Sequence, residues 1–94
     1  MFEQFIITNH VVERYLERVG AKKKDAVRRI KRDLHYTKVK KIVNKGNYRY
    51  VFTWNSKEFI FKKDKGRWIL NTVIKRSRSN NDKAIQERLN SVAA

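Results

Sequence analysis

The sequence has no cysteine, only three glycines, and few acidic side chains beside many basic ones. Without cysteine the chain can form no disulfide, no thiolate-zinc site and no cysteine nucleophile. The glycines are isolated from one another, so no glycine-rich phosphate loop is present. No G-x-S-x-G motif marks a serine nucleophile, and two distant histidines make no convincing metal site. The sequence therefore predicts a protein without a cofactor or bound metal.

Long apolar runs are also missing. No stretch approaches the length of a membrane span, and no signal peptide is recognisable, so we expect an intracellular, cytoplasmic protein. A chain of 94 residues suits one domain, because smaller pieces would bury too little core. Its hydrophobic content of 40% is enough for a modest core and too little to enclose a large cavity as well.

Positive charge dominates the composition. The chain carries 24 Lys and Arg against 9 Asp and Glu, a net charge of +15. Such a charge opposes compaction through self-repulsion, so we expect a polyanionic partner to offset it. Nucleic acid is favoured, with RNA ahead of DNA, while an acidic protein and an anionic membrane surface remain alternatives. Membrane attachment is the weakest of these, because it needs a helix with exposed apolar bulk.

Four β-rich runs occupy residues 39–76 and are separated by three short polar breaks. Gly46-Asn47, Asn55-Ser56 and Asp64-Lys65-Gly66 lie at these breaks, where residues that tolerate positive φ close tight hairpins. Connections this short make neighbouring strands antiparallel, because a parallel return needs about a dozen residues. The pattern predicts a four-stranded meander: Val39–Asn44, Asn47–Trp54, Lys57–Lys63 and Arg67–Arg76.

Two helices are predicted before the meander. The first has an N-cap at Thr8 or Asn9, a terminating Gly20, and one apolar stripe of Val11, Val12, Tyr15, Leu16 and Val19. The second spans about Lys22–Leu34 and has a narrow apolar seam. His35, which follows it, is interpreted as a turn residue.

The two ends of the chain complete the predicted fold. Met1–Ile7 is expected to be an extended lead-in that packs on the core. After a polar hinge at Ser77, a thin apolar stripe predicts a last helix that docks weakly, pairs with a second copy or frays. We predict an α+β fold: two N-terminal helices packed on a four-stranded antiparallel meander sheet, with a C-terminal helix. Residues 1–76 form the domain and 77–94 the hinge and helix or tail, in a monomer or weak homodimer.

Strand alternation divides the side chains of the meander into two predicted faces. A bulky set, which includes Tyr50, Phe61 and Trp68, is expected to pack under the helices. A mixed set forms the open face: Arg49, Thr53, Lys62, Asn71 and Lys75. Aromatic rings among these cations could stack bases, although a role in the core is favoured.

Cations on the second helix and beyond it exceed what solubility requires. We interpret them as a surface that attracts phosphates and positions a ligand without reading its sequence. The predicted nucleic-acid-binding residues are Arg18, Arg28, Arg29, Arg32, Lys40, Arg49, Lys62, Lys75 and Arg76.

A second stripe on the first helix consists of His10, Arg14 and Arg18, at i, i+4 and i+8. It borders the apolar stripe, where a helix meets a sheet and a cleft would open. Alternatively, the arginines simply pair with nearby glutamates. Histidine exchanges protons near neutral pH, and Arg14, Arg49 and Lys75 could hold the phosphate. These groups suffice for metal-independent RNA cleavage, in which the substrate's 2′-hydroxyl is the nucleophile.

Residues 5–76 resemble a small endoribonuclease superfamily that includes barnase, the EndoU enzymes, tRNA-cleaving colicins and RelE-type toxins. Ile7-Thr8-Asn9-His10 with Arg14 resembles the T-x-H-x-x-x-R helix start of its phage- and prophage-borne members, and Leu70-Asn71-Thr72-Val73 is similar to the T-V ending of their sheets. The resemblance implies a site at His10, Arg14 and Thr72. Alternation, however, places Thr72 on the core face, unless that face meets the first helix at its edge or a bulge redirects the side chain.

Two functional hypotheses follow. The first is a metal-independent endoribonuclease of toxin type, for which an acidic antitoxin or immunity partner would be expected. The second is a non-catalytic phage- or plasmid-type protein that binds RNA or DNA, or inhibits a host nucleic-acid enzyme. The nuclease would need His10, whereas a binding protein would tolerate its loss.

Overall fold

A computed structural model describes residues 5–20 and 22–93, which form an α+β fold of three helices and a five-stranded mixed sheet. The sheet order is β1-β5-β4-β3-β2. In chain order the elements are β1 (Phe5–Ile7), α1 (Asn9–Val19), α2 (Lys23–Asp33), a 3₁₀ turn (Tyr36–Lys38), β2 (Val39–Lys45), β3 (Tyr48–Thr53), β4 (Lys57–Asp64), β5 (Arg67–Lys75) and α3 (Arg78–Ala93).

Strands β2 to β5 form the antiparallel meander that the sequence predicts. Each observed strand lies within two residues of its predicted bounds. Positive φ angles occur at all three predicted breaks: 56° at Gly46, 64° at Ser56, and 51° and 77° at Lys65 and Gly66. The short polar breaks therefore define the meander.

The prediction of four strands is incomplete, because β1 adds a fifth. Phe5–Ile7 pairs in parallel with residues 68–70 of β5. The predicted lead-in over residues 1–7 is thus extended and packed over its last three residues, and residues 1–4 lie outside the described chain. A partner some 60 positions away leaves no local pattern that would have revealed the pairing.

Helix α1 begins and ends where its capping residues predict. The Thr8 hydroxyl accepts a hydrogen bond from the Val11 amide at 3.2 Å. Gly20 adopts φ +78°, and its amide donates to the Leu16 carbonyl. Helix α2 lies within one residue of the predicted Lys22–Leu34 span.

Both faces of the sheet are packed, so the predicted open face is wrong. Helices α1 and α2 cover a core of Val11, Tyr15, Ala26, Ile30, Leu34, Val51, Phe59, Phe61, Leu70 and Val73. Helix α3 covers the other face around Val43, Phe52, Ala84 and Ile85, with Tyr50 and Leu89 beside them. Of the three alternatives for the C-terminal helix, docking on the sheet is the one observed.

Bulges explain why simple alternation failed. In β4–β5, Ile60 pairs with Thr72 while Phe61 pairs with Leu70, which leaves Asn71 as an extra residue. Leu70 and Thr72 consequently lie on opposite faces. A second irregularity in β2–β3 lies between Val39 and Lys41.

Helix α3 is fixed to the sheet by charge as well as by apolar contact. Glu58 of β4 is fully buried on the α3 face. It accepts a hydrogen bond from Arg88 Nε at 3.0 Å. Its Oε1 forms an ion pair with Arg76 Nη1 at 2.7 Å, and neither atom has a hydrogen-bond partner among the described residues. The Arg88 guanidinium also stacks on Tyr50, 4.1 Å from the ring centroid.

Neutralising Glu58 should therefore destabilise the fold. We expect Glu58→Gln to lower the free energy of unfolding by about 1.5–3 kcal/mol, because it removes the buried counter-charge of the partly exposed Arg76 and weakens the charged hydrogen bond from Arg88. Glu87→Gln removes an exposed carboxylate from α3 and should change it by less than about 0.5 kcal/mol. Urea denaturation of both variants measures the difference. Equal stabilities would show that Glu58 does not hold α3.

Candidate nucleic-acid interface

Several elements converge at the end of the sheet where β3 turns into β4. The Trp54 amide donates to the Lys38 carbonyl at 2.9 Å, which joins the turn to the start of β2. The Arg76 amide donates to the Ser56 carbonyl at 3.0 Å, which joins it to the end of β5. We call this region, residues 36–40, 53–57 and 75–82, the turn end.

The buried carboxylate of Asp33 holds the turn end to the core through hydrogen bonds. Asp33, the last residue of α2, is only 6% exposed. It accepts hydrogen bonds from Tyr15 Oη at 3.0 Å, Lys57 Nζ at 2.7 Å and Asn55 Nδ2 at 3.1 Å. We call these four residues the Asp33 cluster. A buried charge is tolerated when it is paired and hydrogen-bonded, and here one cation and two neutral donors meet that need.

The Asp33 cluster fixes the residues on both sides of Trp54. Asn55 belongs to the cluster and also accepts a hydrogen bond from the buried Thr53 hydroxyl. Thr53 Oγ1 in turn accepts from the Lys57 amide at 3.3 Å. Trp54, held between these anchored neighbours, is 64% exposed. The turn thus presents a large indole to solvent on a rigid support.

Two clefts border Trp54. One measures about 260 Å³ and the other about 280 Å³. The first is lined by Lys40, Thr53, Trp54, Ser56, Arg78, Asn81 and Asp82. The second is lined by Lys38, Trp54 and Asn55. At least one cation therefore lies in each cleft beside the indole.

A wider groove of about 550 Å³ continues the basic surface from the end of β5 along the start of α3. Its lining residues are Lys75, Arg76, Ser77, Asn80, Lys83, Ala84 and Glu87. Three cations against one carboxylate make this groove attractive to a polyanion.

A second exposed aromatic side chain, that of Tyr36, belongs to the turn end. Tyr36 is 63% exposed, and its ring centroid is 4.6 Å from that of His35. The His35 ring accepts from the Thr37 amide and caps the 3₁₀ turn, which confirms its interpretation as a turn residue. The Lys40 ammonium lies 5.1 Å from the Trp54 ring centroid and also pairs with Asp82 at 2.5 Å.

The predicted catalytic residues lie on two elements that the structure only partly brings together. His10 is exposed in the first turn of α1. Arg14 lies on the same helix and pairs with Glu17 at 3.5 Å, as the simpler alternative proposed. Arg18 donates to the Val73 carbonyl of β5. Thr72 pairs with Ile60 and so lies on the α3 face, away from the core that α1 covers.

A bulge near Thr72 was one of the alternatives in the sequence analysis. The bulge is present at Asn71, but it turns the Thr72 side chain away from the core that α1 covers. Placing Thr72 with Leu70 on one core face was wrong. The helix stripe is joined to the last strand by the hydrogen bond from Arg18 to the carbonyl of Val73, the residue that follows Thr72.

The predicted phosphate-binding cations are dispersed. Arg28 pairs with Asp25 at 2.9 Å and, like Arg29 and Arg32, is exposed on α2. Lys40 lies in the first cleft at the turn end. Arg76 lines the wide groove, but its guanidinium is engaged by buried Glu58.

The three cations assigned to one open sheet face do not share it. Arg49 stacks on Trp68, with 4.3 Å between guanidinium carbon and ring centroid, at the far end from the turn end. Lys62 is exposed and lies on the α3 face, where it is opposite Tyr48 of β3 and Ile69 of β5 in the strand register. Lys75 is exposed and belongs to the wide groove.

The sequence interpretation missed Trp54 and Arg78 as candidate contacts, whereas Lys38 belongs to the predicted phosphate-attracting surface. Alternation counted Trp54 among the bulky core residues. An aromatic residue that immediately precedes an Asn-Ser turn has already left the strand, and this position could have signalled its exposure. Lys38 and Arg78 pair with no described carboxylate, so their charges are available.

Comparison with known proteins gives no match among family profiles, curated proteins or solved structures. Within the described ranges, no group of three His, Asp or Glu side chains is arranged to hold a metal ion. No helix in that part of the chain is long and apolar enough to cross a membrane. The geometry and charges of the described residues therefore carry the functional proposal.

The Asp33 cluster makes a prediction about tyrosine ionisation. Burial, followed by the nearby Asp33 carboxylate, raises the pKa of Tyr15 well above its usual range. A raised pKa means that the folded chain prefers the neutral phenol. The stabilisation that the neutral Tyr15 phenol gives to the folded state is thus fully present below pH about 10, and it is lost as the pH rises further.

We expect a tyrosinate absorbance titration to show one tyrosine that ionises only when the protein unfolds at high pH. Tyr15→Phe should remove this late component. Tyr36→Phe, which alters an exposed ring outside the Asp33 cluster, should retain the late component of Tyr15. A late component that persists in Tyr15→Phe would contradict the assignment.

Proposed function

We propose that this chain is an RNA-binding protein whose principal contact surface is the turn end. The observation that carries the proposal is the exposed Trp54, which lines one cleft together with Lys38 and another together with Lys40 and Arg78. Aromatic side chains that stack bases, combined with cations that follow the phosphates, are the usual means of binding single strands.

The charge balance supports the same function. Among the described side chains, six cations form ion pairs. Because the chain has 24 Lys and Arg, most of its positive charge is left for an external polyanion. The endoribonuclease-like segments around His10 and Thr72 favour RNA over DNA as that polyanion.

Binding should depend on salt and on the cations of the turn end. We expect Lys38→Gln with Arg78→Gln to reduce the slope of log K against log salt by about 1.4 for a single strand, since each lost phosphate contact contributes about 0.7. The measurement is fluorescence anisotropy with a labelled oligoribonucleotide at several salt concentrations.

A matched control places the same charge change at the opposite end of the sheet. Lys62→Gln with Arg67→Gln removes two exposed cations there and should reduce the slope by much less. Equal reductions in the two double variants would argue against a localised interface and for diffuse attraction.

Metal-independent RNA cleavage is the second candidate function, and one contact favours it. Arg18 donates to the Val73 carbonyl, so the stripe of His10, Arg14 and Arg18 ends one residue from Thr72 along β5. His10 is exposed and could exchange a proton with a 2′-hydroxyl, while the arginines could stabilise charge on the phosphate.

Cleavage of total RNA in EDTA tests this candidate. An endoribonuclease would give discrete fragments that end in 2′,3′-cyclic phosphate, and His10→Ala would reduce their yield by about 100-fold or more. His35→Ala, which changes the other exposed histidine, should leave the yield unchanged. Intact RNA with every variant, together with retained binding, would exclude the enzyme and leave the binding protein.

A further inference from the structure

Trp54 lines two clefts of nearly equal size. It is the residue that the two linings share, and each cleft contains at least one further cation of its own. Both volumes lie at or below the lower limit of about 300 Å³ for small-molecule pockets, so each suits a single base better than a larger ligand. We propose that Trp54 inserts between two consecutive unpaired bases of an RNA strand, with one nucleotide in each cleft. This inference rests on the proposed function.

The first cleft offers polar groups as well as the ring face. The Lys40 ammonium lies 5.1 Å from the ring centroid, within the cation–π range of about 6 Å. Its ion pair with Asp82 remains available when a base approaches the ring. Lys40 can therefore move away from the indole while it keeps Asp82, or gains a phosphate, as its charged partner. Arg78 at the same cleft is a second side chain that can donate hydrogen bonds to a phosphate.

The second cleft is simpler. It combines the indole with Lys38 and the anchored Asn55. Lys38 forms no ion pair with a described carboxylate, so its ammonium is free to bind the phosphate that follows the second base. The Asn55 amide is committed to Asp33, which keeps this wall of the cleft in place.

The rigid support of Trp54 makes the site selective for unpaired bases. An indole held by fixed neighbours loses little conformational freedom on binding. Inserting it into a duplex would require unstacking a base step, at a cost of a few kcal/mol. Consecutive unpaired bases avoid most of this cost, so single-stranded RNA should bind better than a duplex of the same length.

Affinities for a single-stranded oligoribonucleotide and for its duplex provide the test. Alanine substitution of a stacking aromatic costs about 1–3 kcal/mol per base, so Trp54→Ala, which removes stacking on two bases, should weaken single-strand binding by about 30-fold or more. Duplex binding should change by less than about twofold, since it depends on phosphate contacts. Trp54→Phe should restore most of the loss because it retains a ring.

Two controls separate stacking from other effects. Tyr48→Ala removes a partly exposed aromatic at the opposite end of the sheet and should leave both affinities unchanged. In a Trp68→Phe background Trp54 is the only tryptophan, and its fluorescence should be quenched by the single strand and not by the duplex.

The outcomes distinguish this inference from the proposed function. If Trp54→Ala weakens both ligands equally or neither, insertion between bases is wrong while RNA binding stands. If the wild-type chain binds neither ligand at low salt, both the inference and the proposed function are wrong. A loss confined to the single strand, with rescue by phenylalanine, supports both.

Discussion

The buried Asp33 carboxylate is the interaction on which the turn end depends. It receives donors from α1, from the β3–β4 turn and from β4, so one side chain ties three elements to the end of α2. Removing a partner from such a site leaves an uncompensated buried charge, which is why these contacts form as a unit. Because Asn55 is one of the donors, the position of Trp54 is set by the core beneath it.

Glu58 has the corresponding role on the opposite face of the sheet, where it contacts Arg76 and Arg88 beneath α3. Two of the acidic residues that the structure describes, Asp33 and Glu58, are therefore placed in the interior. Each acid placed in the core is one that cannot neutralise a surface lysine or arginine. The positive surface is thus partly a consequence of how the fold is held together, and it is what a polyanion would meet.

The sequence predicted the features that depend on neighbouring residues. Short polar breaks identified the meander, and Thr8 and Gly20 marked the ends of α1, because turn and cap chemistry is local. The features it missed depend on distant pairing. The short β1 is a strand only because β5 lies beside it, and the bulge at Asn71 reverses the faces of the residues that follow. The placement of Thr72 and the clustering at Trp54 both depend on such long-range geometry.

The two candidate functions need not compete for the same residues. Lys75 is the last residue of β5 and lines the wide groove. Val73, whose carbonyl accepts the hydrogen bond from Arg18, lies two residues earlier. At the rise of an extended strand this separation is about 7 Å, roughly one nucleotide step. An RNA strand bound at the turn end could therefore reach Arg18, which belongs to the same helix stripe as His10 and Arg14. Binding would then require the turn end alone, whereas cleavage would require both regions, so loss of His10 would leave affinity intact.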